Sequence, residues 1–120
     1  MKIGVIGIGR DEIVQIVGGL PGAEPVATSD IDAAMRIQSG DLSYMIGVCE
    51  SGGGAALAIP IAILGADRCT NLSKLGRPVP EAELPGVVES GIQAFGVARD
   101  HIPALVPALV RALAAQPTGA

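Results

Sequence analysis

The sequence predicts an α/β fold, a single three-layer sandwich in which a five-stranded parallel sheet lies between two layers of helices. Apolar runs alternate with turn signals in five strand–helix units, which is typical of parallel sheets. The run at residues 42–48 is apolar at nearly every position, as expected of a central parallel strand covered on both faces. With 49% hydrophobic but only 2% aromatic residues, the core must consist of small aliphatic side chains. The 120 residues allow one domain, which we place at residues 1–115, and residues 116–120 are expected to fray.

The first two units are marked by acids and by capping residues. Asp11 and Glu12 follow the first strand, where the positive end of a helix favours carboxylates. Ser29 or Asp30 caps the second helix, which closes at Gly40. The five strands are predicted at residues 2–6, 24–28, 42–48, 67–72 and 92–97.

The last three helices contain prolines. A helix at 55–64 should be kinked by Pro60, which lacks the backbone N–H that an internal helical residue donates. A short helix at 81–89 is interrupted by its own proline and glycine. Asp100 can cap a final helix that runs to about residue 115. The longer connection at 73–80 is the candidate for a lid over a site.

The topology predicts where a ligand binds. Right-handed crossovers favour the flavodoxin-like strand order 2-1-3-4-5, in which the order reverses between the first and third strands. Ligands of open α/β sheets bind at such a point, beside the carboxyl ends of the strands. The glycine-rich turns after these two strands should therefore meet there, together with basic residues of the loops. The predicted ligand-binding residues are Gly7, Gly9, Arg10, Ser51, Gly52, Gly53, Gly54, Lys74 and Arg77.

Consecutive glycines at a helix start can form a cradle for an anion. Their amides can turn toward one point, and the helix end adds partial positive charge. The alternative is that these glycines only allow close packing of helix on strand. The Gly-Lys-Ser/Thr ending of a phosphate-binding Walker loop is absent, and Glu12 occupies the third glycine position of a dinucleotide fingerprint. We expect a small phosphorylated or carboxylate metabolite and no cofactor.

Cys49 is the candidate catalytic residue. It ends the central strand just before the glycines, where a helix end would favour its thiolate. The alternative is a small buried hydrophobic residue without chemistry. His101 and the scattered Cys49 and Cys69 do not make a zinc site, so no metal is expected, and His101 is predicted to be solvated in a first helical turn. Ser51 lacks the frame of a nucleophile elbow and is predicted to cap a helix.

Charge and hydropathy exclude several classes of function. The formal net charge of −4 lacks the basic footprint of a nucleic-acid-binding protein. No run approaches the roughly 20 apolar residues that span a bilayer, and the first residues do not form a signal-peptide core. Two cysteines do not make a disulfide framework, so free thiols in a cytoplasmic protein are expected. The apolar helices at 55–64 and 103–115 predict a homo-oligomer.

Three segments carry a resemblance to known proteins: residues 4–12 (GVIGIGRDE), 47–55 (GVCESGGGA) and 91–97 (GIQAFGV). Over nearly its whole length the chain resembles the uncharacterised YhfU-type family, a domain of unknown function commonly encoded beside a predicted membrane transporter and small metabolic enzymes. That resemblance implies an accessory role to such a transporter or enzyme.

Two looser similarities imply alternatives in which Cys49 reacts. The loop after the third strand is similar to that of type-B ribose-5-phosphate isomerases, which implies that Cys49 is a base and that Gly52, Gly53 and Gly54 stabilise an enediolate oxygen. A similarity to sugar-transport IIB components implies instead a phosphocarrier phosphorylated on Cys49. Whether the protein is an enzyme stays open at this point.

Overall fold

A parallel sheet of five strands, in the order β2-β1-β3-β5-β4, runs through the protein. The computed structural model describes residues 1–49, 55–74 and 77–116. Helices cover both faces of the sheet, so the predicted α/β class is confirmed. The strands are β1 (Lys2–Gly7), β2 (Glu24–Ala27), β3 (Tyr44–Cys49), β4 (Cys69–Asn71) and β5 (Ala94–Ala98).

The predicted order 2-1-3-4-5 is wrong at its end, because β5 lies between β3 and β4. Burial explains the exchange. All five residues of β5 are buried, whereas the three residues of β4 are only partly buried and include Thr70 and Asn71. A strand that is apolar on both faces gains most in the middle of a sheet, and a short polar strand suits the edge.

The five α-helices keep the predicted sequence of units, with local differences at their starts. Ser29 caps the second helix, since its hydroxyl oxygen accepts the N–H of Asp32 at 3.2 Å. Asp100 does not cap the last helix. It lies inside a 3₁₀ turn (Arg99–His101), and the helix starts after His101 without a side-chain cap. The helices are α1 (Arg10–Gly18), α2 (Asp30–Gln38), α3 (Ala58–Leu64), α4 (Leu84–Glu89) and α5 (Ile102–Ala114).

The predicted third and fourth helices begin as 3₁₀ turns, at Ala55–Leu57 and Glu81–Glu83. Pro85 does not interrupt a helix, because it stands in the first turn of α4, where its missing N–H has no helical partner to lose. Pro107 does lie within α5, which nevertheless continues for 13 residues.

The two faces of the sheet are covered unequally. Helices α1 and α4 flank α5 on one face, and α2 packs against α3 on the other. Along α5, Ile102, Leu105, Val106 and Leu109 are buried against the sheet and its neighbours. The expectation that this helix needs a second subunit to cover it is therefore wrong. Within the described part of the chain, no helix has the length and apolarity needed to cross a membrane.

The other face leaves apolar side chains in solvent. Ile31 and Met35 of α2 are 51% and 57% exposed, and Ile61 of the adjacent α3 is 42% exposed. Ile31 and Met35 are one helical turn apart, so they lie on the same side of α2. We call these three residues the α2/α3 patch.

Candidate functional site

The carboxyl edge of the sheet brings the ends of β1 and β3 together, as the topology predicts. Gly7 pairs with Val48, and Cys49 at the end of β3 pairs with Ala98 at the end of β5. From β1 the chain crosses to β2 on one side, and from β3 it crosses toward the opposite edge of the sheet. The reversal of order therefore lies between β1 and β3 despite the corrected position of β5.

Glycine is required in the turn after β1. Gly7 has φ +103°, and a β-carbon placed on it would lie 2.5 Å from the carbonyl oxygen of Val48. Gly9, with φ +85°, precedes α1 and gives that helix no side-chain cap. The first turn of α1 carries the exposed carboxylates Asp11 and Glu12. The predicted glycine turn thus lies beside the end of β3.

Arg99 lies over this turn. A β-carbon built on Gly9 would lie 3.6 Å from Arg99 Nε and 3.7 Å from Ile102 Cδ1, so both side chains pack against the turn. Arg10, the first residue of α1, donates a long hydrogen bond of 3.4 Å from Nη1 to the carbonyl of Thr28, which follows β2. Two guanidinium groups therefore flank the carboxyl ends of β1 and β2.

Cys49 is the last residue of β3 and is a free, partly buried thiol. The predicted site residues Ser51, Gly52, Gly53 and Gly54 follow it but lie outside the described residues. The chain is described again from residue 55, and a β-carbon on Gly47 would lie 2.9 Å from Ala56 Cβ. Cys49 and Ala56, one on each side of the undescribed residues, are therefore both at the carboxyl-terminal half of β3.

Ser73 and His101 form a hydrogen-bonded pair at the same edge. Ser73 is 0% exposed, and its Oγ lies 2.8 Å from His101 Nδ1. The same Oγ accepts the N–H of Ala98 at 2.9 Å, and Asn71 Oδ1 accepts the N–H of Ser73 at 2.9 Å. His101 is partly buried and tied to a loop 28 positions earlier, so its prediction as a merely solvated first-turn residue is wrong.

Lys74 and Arg77 lie elsewhere than the glycine turn. They line a cavity of about 340 Å³ along β4 and α4, with Glu83 and with the apolar side chains of Leu72, Val79 and Val87. Three strand spacings separate β4 from β1, roughly 14 Å. Their predicted part in binding an anion would require a ligand that extends along the edge of the sheet.

The amino edge holds a larger cleft of about 440 Å³. Arg68 on its wall donates a 2.7 Å hydrogen bond from Nη1 to Gln93 Oε1, and the backbone N–H of Gln93 donates to the Arg68 carbonyl. Cys69 stands at the start of β4, where its Sγ donates to the Gly65 carbonyl at 3.4 Å. Burial, and secondarily the negative charge of Asp67, raises the pKa of the Cys69 thiol.

The two cysteines cannot form a redox pair. Cys69 is in register with Ala94, and Cys49 is in register with Ala98 of the same strand. The thiols are therefore four residues apart along the strands, about 13 Å, in addition to two strand spacings. Over residues 1–49, 55–74 and 77–116, no three His, Cys, Asp or Glu side chains cluster as metal ligands would.

A family model described as "Protein of unknown function DUF2620" matches residues 1–113, nearly the whole chain. The chain belongs to the DUF2620 family. Among its relatives is the "Uncharacterized protein YhfU" of Escherichia coli strain K12, which is 35% identical over 114 residues, covering 93% of this chain and 97% of the relative. The same identity and coverage hold for the proteins of that name from Escherichia coli O6:H1 and Shigella flexneri.

The DUF2620 assignment confirms the resemblance drawn from the glycine-containing segments. The looser similarity to isomerases gains no support from these relatives. No solved structure matches the chain. Any function of this DUF2620 protein must therefore be argued from its own residues.

Proposed function

We propose that this protein binds a small anionic metabolite, phosphorylated or carboxylate, at the carboxyl edge between β1 and β3. The observation that carries the proposal is the packing of Arg99 over the Gly9 turn, beside the ends of both strands. Open α/β sheets bind ligands where the strand order reverses, and here that point coincides with a guanidinium group and with a turn that contains Gly7 and Gly9.

Arg99 is the main anion contact in this proposal. A helix end stabilises a nearby anion by about 0.3–1 kcal/mol, and Asp11 and Glu12 in the first turn of α1 oppose that effect. A hydrogen bond that involves a charged group contributes about 1.5–3 kcal/mol, and a guanidinium can donate two in parallel to a phosphate or carboxylate. The balance therefore favours an anion held by Arg99, with Arg10 second.

The remaining predicted contacts complete the proposed site. The amides of Ser51, Gly52, Gly53 and Gly54 would approach the anion from the segment after Cys49, together with Gly7 and Gly9. Lys74 and Arg77 would reach a larger ligand from the adjacent cavity.

Thermal unfolding in the presence of inorganic phosphate, sugar phosphates and small carboxylates tests the proposal. We expect at least one of these anions to raise the Tm of the native protein, because a ligand that binds only the folded state stabilises it. Arg99→Gln should remove most of that response. Arg68→Gln, at the opposite edge, is the matched control and should retain it. Equal responses in the parent and in Arg99→Gln, or no response to any anion, would refute the proposal.

An accessory role follows if the anion is bound without being changed. In that case the protein would deliver the ligand to a transporter or metabolic enzyme in the cytoplasm, which is the setting that the resemblance implies. Quantitative recovery of the unaltered ligand after prolonged incubation is the expected result, and conversion of the ligand would contradict it.

The second candidate function is proton transfer by Cys49. Its position favours this role, since the thiol ends β3 at the edge proposed to bind the ligand. Cys49→Ser should then abolish turnover of a sugar phosphate, whereas Cys69→Ser at the opposite edge should not. If Cys49 is instead phosphorylated, as in a phosphocarrier, its mass should rise by about 80 Da with a phosphodonor system, the mass of one added phosphoryl group. If neither effect is observed, binding of the anion without a reaction is the remaining function.

We further propose that two copies associate through the α2/α3 patch. Ile31, Met35 and Ile61 expose apolar surface on the face that only two helices cover. Light scattering at micromolar concentration should give twice the 12.0 kDa chain mass. Met35→Lys should return the monomer, because a charge cannot be buried without a partner. A native protein that scatters as a monomer contradicts this proposal.

A further inference from the structure

Ser73 ends the pairing of β4 with β5. The N–H of Leu72 donates to the Gly96 carbonyl, in the regular pattern of a parallel ladder. The next N–H of β5 that faces β4 is that of Ala98, and it donates to the side chain of Ser73. The carbonyl of Leu72, which would accept it in a regular ladder, accepts the N–H of Val79. The Ser73 hydroxyl thus replaces a backbone acceptor at the carboxyl edge.

The hydrogen-bond inventory of Ser73 determines which nitrogen of His101 carries the proton. The hydroxyl has one hydrogen, and its oxygen already accepts the Ala98 N–H. When that hydrogen is donated to His101 Nδ1, at 2.8 Å, both groups are satisfied and the imidazole proton lies on Nε2. In the reverse arrangement the hydroxyl hydrogen has no acceptor among the described residues. An unsatisfied buried donor costs about 1–3 kcal/mol, so the first arrangement is favoured at least fivefold.

The Nε2–H group belongs to the same short turn as Arg99. Arg99 and His101 are the ends of the 3₁₀ turn that follows β5, and Arg99 packs over Gly9. His101 is partly exposed, and within residues 1–49, 55–74 and 77–116 no group bonds to its Nε2. One turn of chain therefore brings an oriented neutral donor and a cation to the carboxyl edge.

We propose that His101 donates a hydrogen bond from Nε2–H to an oxygen of the bound anion, and that Ser73 is the positioning residue that fixes this tautomer. The inference rests on the proposed anion binding and names its second donor. It also implies that the ligand is recognised by a neutral donor in addition to charge, so its acceptor is a phosphate, carboxylate or carbonyl oxygen.

The sequence contains one histidine, so imidazole signals are unambiguous. Long-range ¹H–¹⁵N spectra recorded at about pH 8 report the tautomer of the ring. We expect protonated Nε2 and unprotonated Nδ1. Ser73→Ala should give a mixture of tautomers. Ser90→Ala is the control, since the Ser90 hydroxyl donates to the nearby Val87 carbonyl, and it should leave the spectrum unchanged.

Ligand contact is tested by adding inorganic phosphate and, separately, glucose 6-phosphate. An anion that raises the Tm should also shift the Nε2 signal. His101→Gln keeps an N–H donor near the position of Nε2 and should retain most of the binding, whereas His101→Asn, which is too short, should lose about tenfold in affinity.

The failures of the two proposals are distinguishable. Any of three results would overturn the role of His101 alone. The first is a protonated Nδ1 in the native protein, and the second is an unchanged tautomer in Ser73→Ala. The third is an anion that stabilises the protein without shifting the Nε2 signal. The expected tautomer with no stabilisation by either anion overturns the proposed binding.

Discussion

The carboxyl and amino edges of the sheet use similar polar residues in different ways. At the amino edge, Arg68 is joined to Gln93 by a side-chain hydrogen bond and by a backbone bond, and Lys2 lies 3.8 Å from Asp41. These contacts tie neighbouring strands together. At the carboxyl edge, Arg99 packs over the glycine turn that follows β1.

The difference teaches that cavity size alone does not locate a site. The amino edge has the larger cleft, but Arg68 and Gln93 on its wall bond to each other, and Gln93 Nε2 donates to the Ser43 carbonyl before β3. The carboxyl edge combines a glycine turn, the guanidinium of Arg99 and the imidazole of His101 near the point where strand order reverses. Three experiments test this contrast, and a fourth tests the charged groups around α2.

The largest expected effect is that of Gly7→Ala. Its β-carbon would lie 2.5 Å from the Val48 carbonyl oxygen and φ is +103°, so we expect a loss of about 3 kcal/mol or more in the free energy of unfolding. Gly22, at the amino edge, has φ +83° with open space around it, so Gly22→Ala should cost only about 1 kcal/mol. Urea unfolding measures both, and equal losses would show that Gly7 is not confined by β3.

Ser73→Ala should have the next largest effect. The Ala98 N–H loses its acceptor in a buried position, which should lower the free energy of unfolding by about 1–3 kcal/mol. Ser90→Ala alters an exposed hydroxyl and should change it by less than about 0.5 kcal/mol. A neutral Ser73→Ala in the same urea titrations would remove the structural basis for positioning His101.

The two cysteines should differ in reaction with iodoacetamide. Burial raises the pKa of Cys69, and its Sγ donates to the Gly65 carbonyl, so it has little thiolate near neutral pH. Cys49 at the carboxyl edge should be modified several-fold faster, as followed by mass spectrometry with Cys49→Ser and Cys69→Ser proteins as controls. Faster modification of Cys69 would contradict the raised pKa of its thiol.

The smallest expected effect is that of replacing Asp32, one of two carboxylates to which Arg36 of α2 bonds. The Arg36 side chain bonds to Asp41 at 2.6 Å and to Asp32 at 3.4 Å. The Thr28 hydroxyl, more than Arg36, lowers the pKa of Asp32 below its ordinary value of 3.8. The stabilisation from a lowered carboxyl pKa is present above the unfolded value and is lost as pH falls through the folded one.

Asp32→Asn should therefore lose a little stability near pH 7, and the difference from the native protein should disappear as the pH falls below about 4. Thermal unfolding across pH 2–7 (about the range in which carboxyls titrate) measures it. If the stability of Asp32→Asn falls in acid as steeply as that of the native protein, the Asp32 carboxyl does not stabilise the folded state.

The sequence predicts the strands and the reversal point because both depend on local patterns. Apolar runs mark β1, β3 and β5, and glycines mark the turn after β1. The rule for successive crossovers does not predict the exchange of β4 and β5, because it does not weigh burial. The signal for this exchange lies in the composition of the two strands. Strand β4 contains the polar residues Thr70 and Asn71, whereas β5 (Ala94–Ala98) contains no polar side chain.

The candidate site was less accessible to sequence reasoning. Arg99 falls after a strand, so its edge could be predicted, but its packing over Gly9 depends on how far the side chain reaches. The bond between Ser73 and His101 joins residues 28 positions apart and follows no periodicity. The strands β4 and β5 are neighbours in the predicted order as well as in the observed one, so topology predicts that the two loops adjoin, but no pattern in the sequence predicts the bond itself.

The most direct test of the account is an amide map of the ¹⁵N-labelled native protein titrated with inorganic phosphate and with glucose 6-phosphate. The account predicts shifts concentrated at Gly7, Gly9 and Arg10 and at the Arg99–His101 turn, with Arg68, Gln93 and Gly22 unmoved. Shifts confined to the amino edge, or no saturable shift at all, would contradict binding at the carboxyl edge.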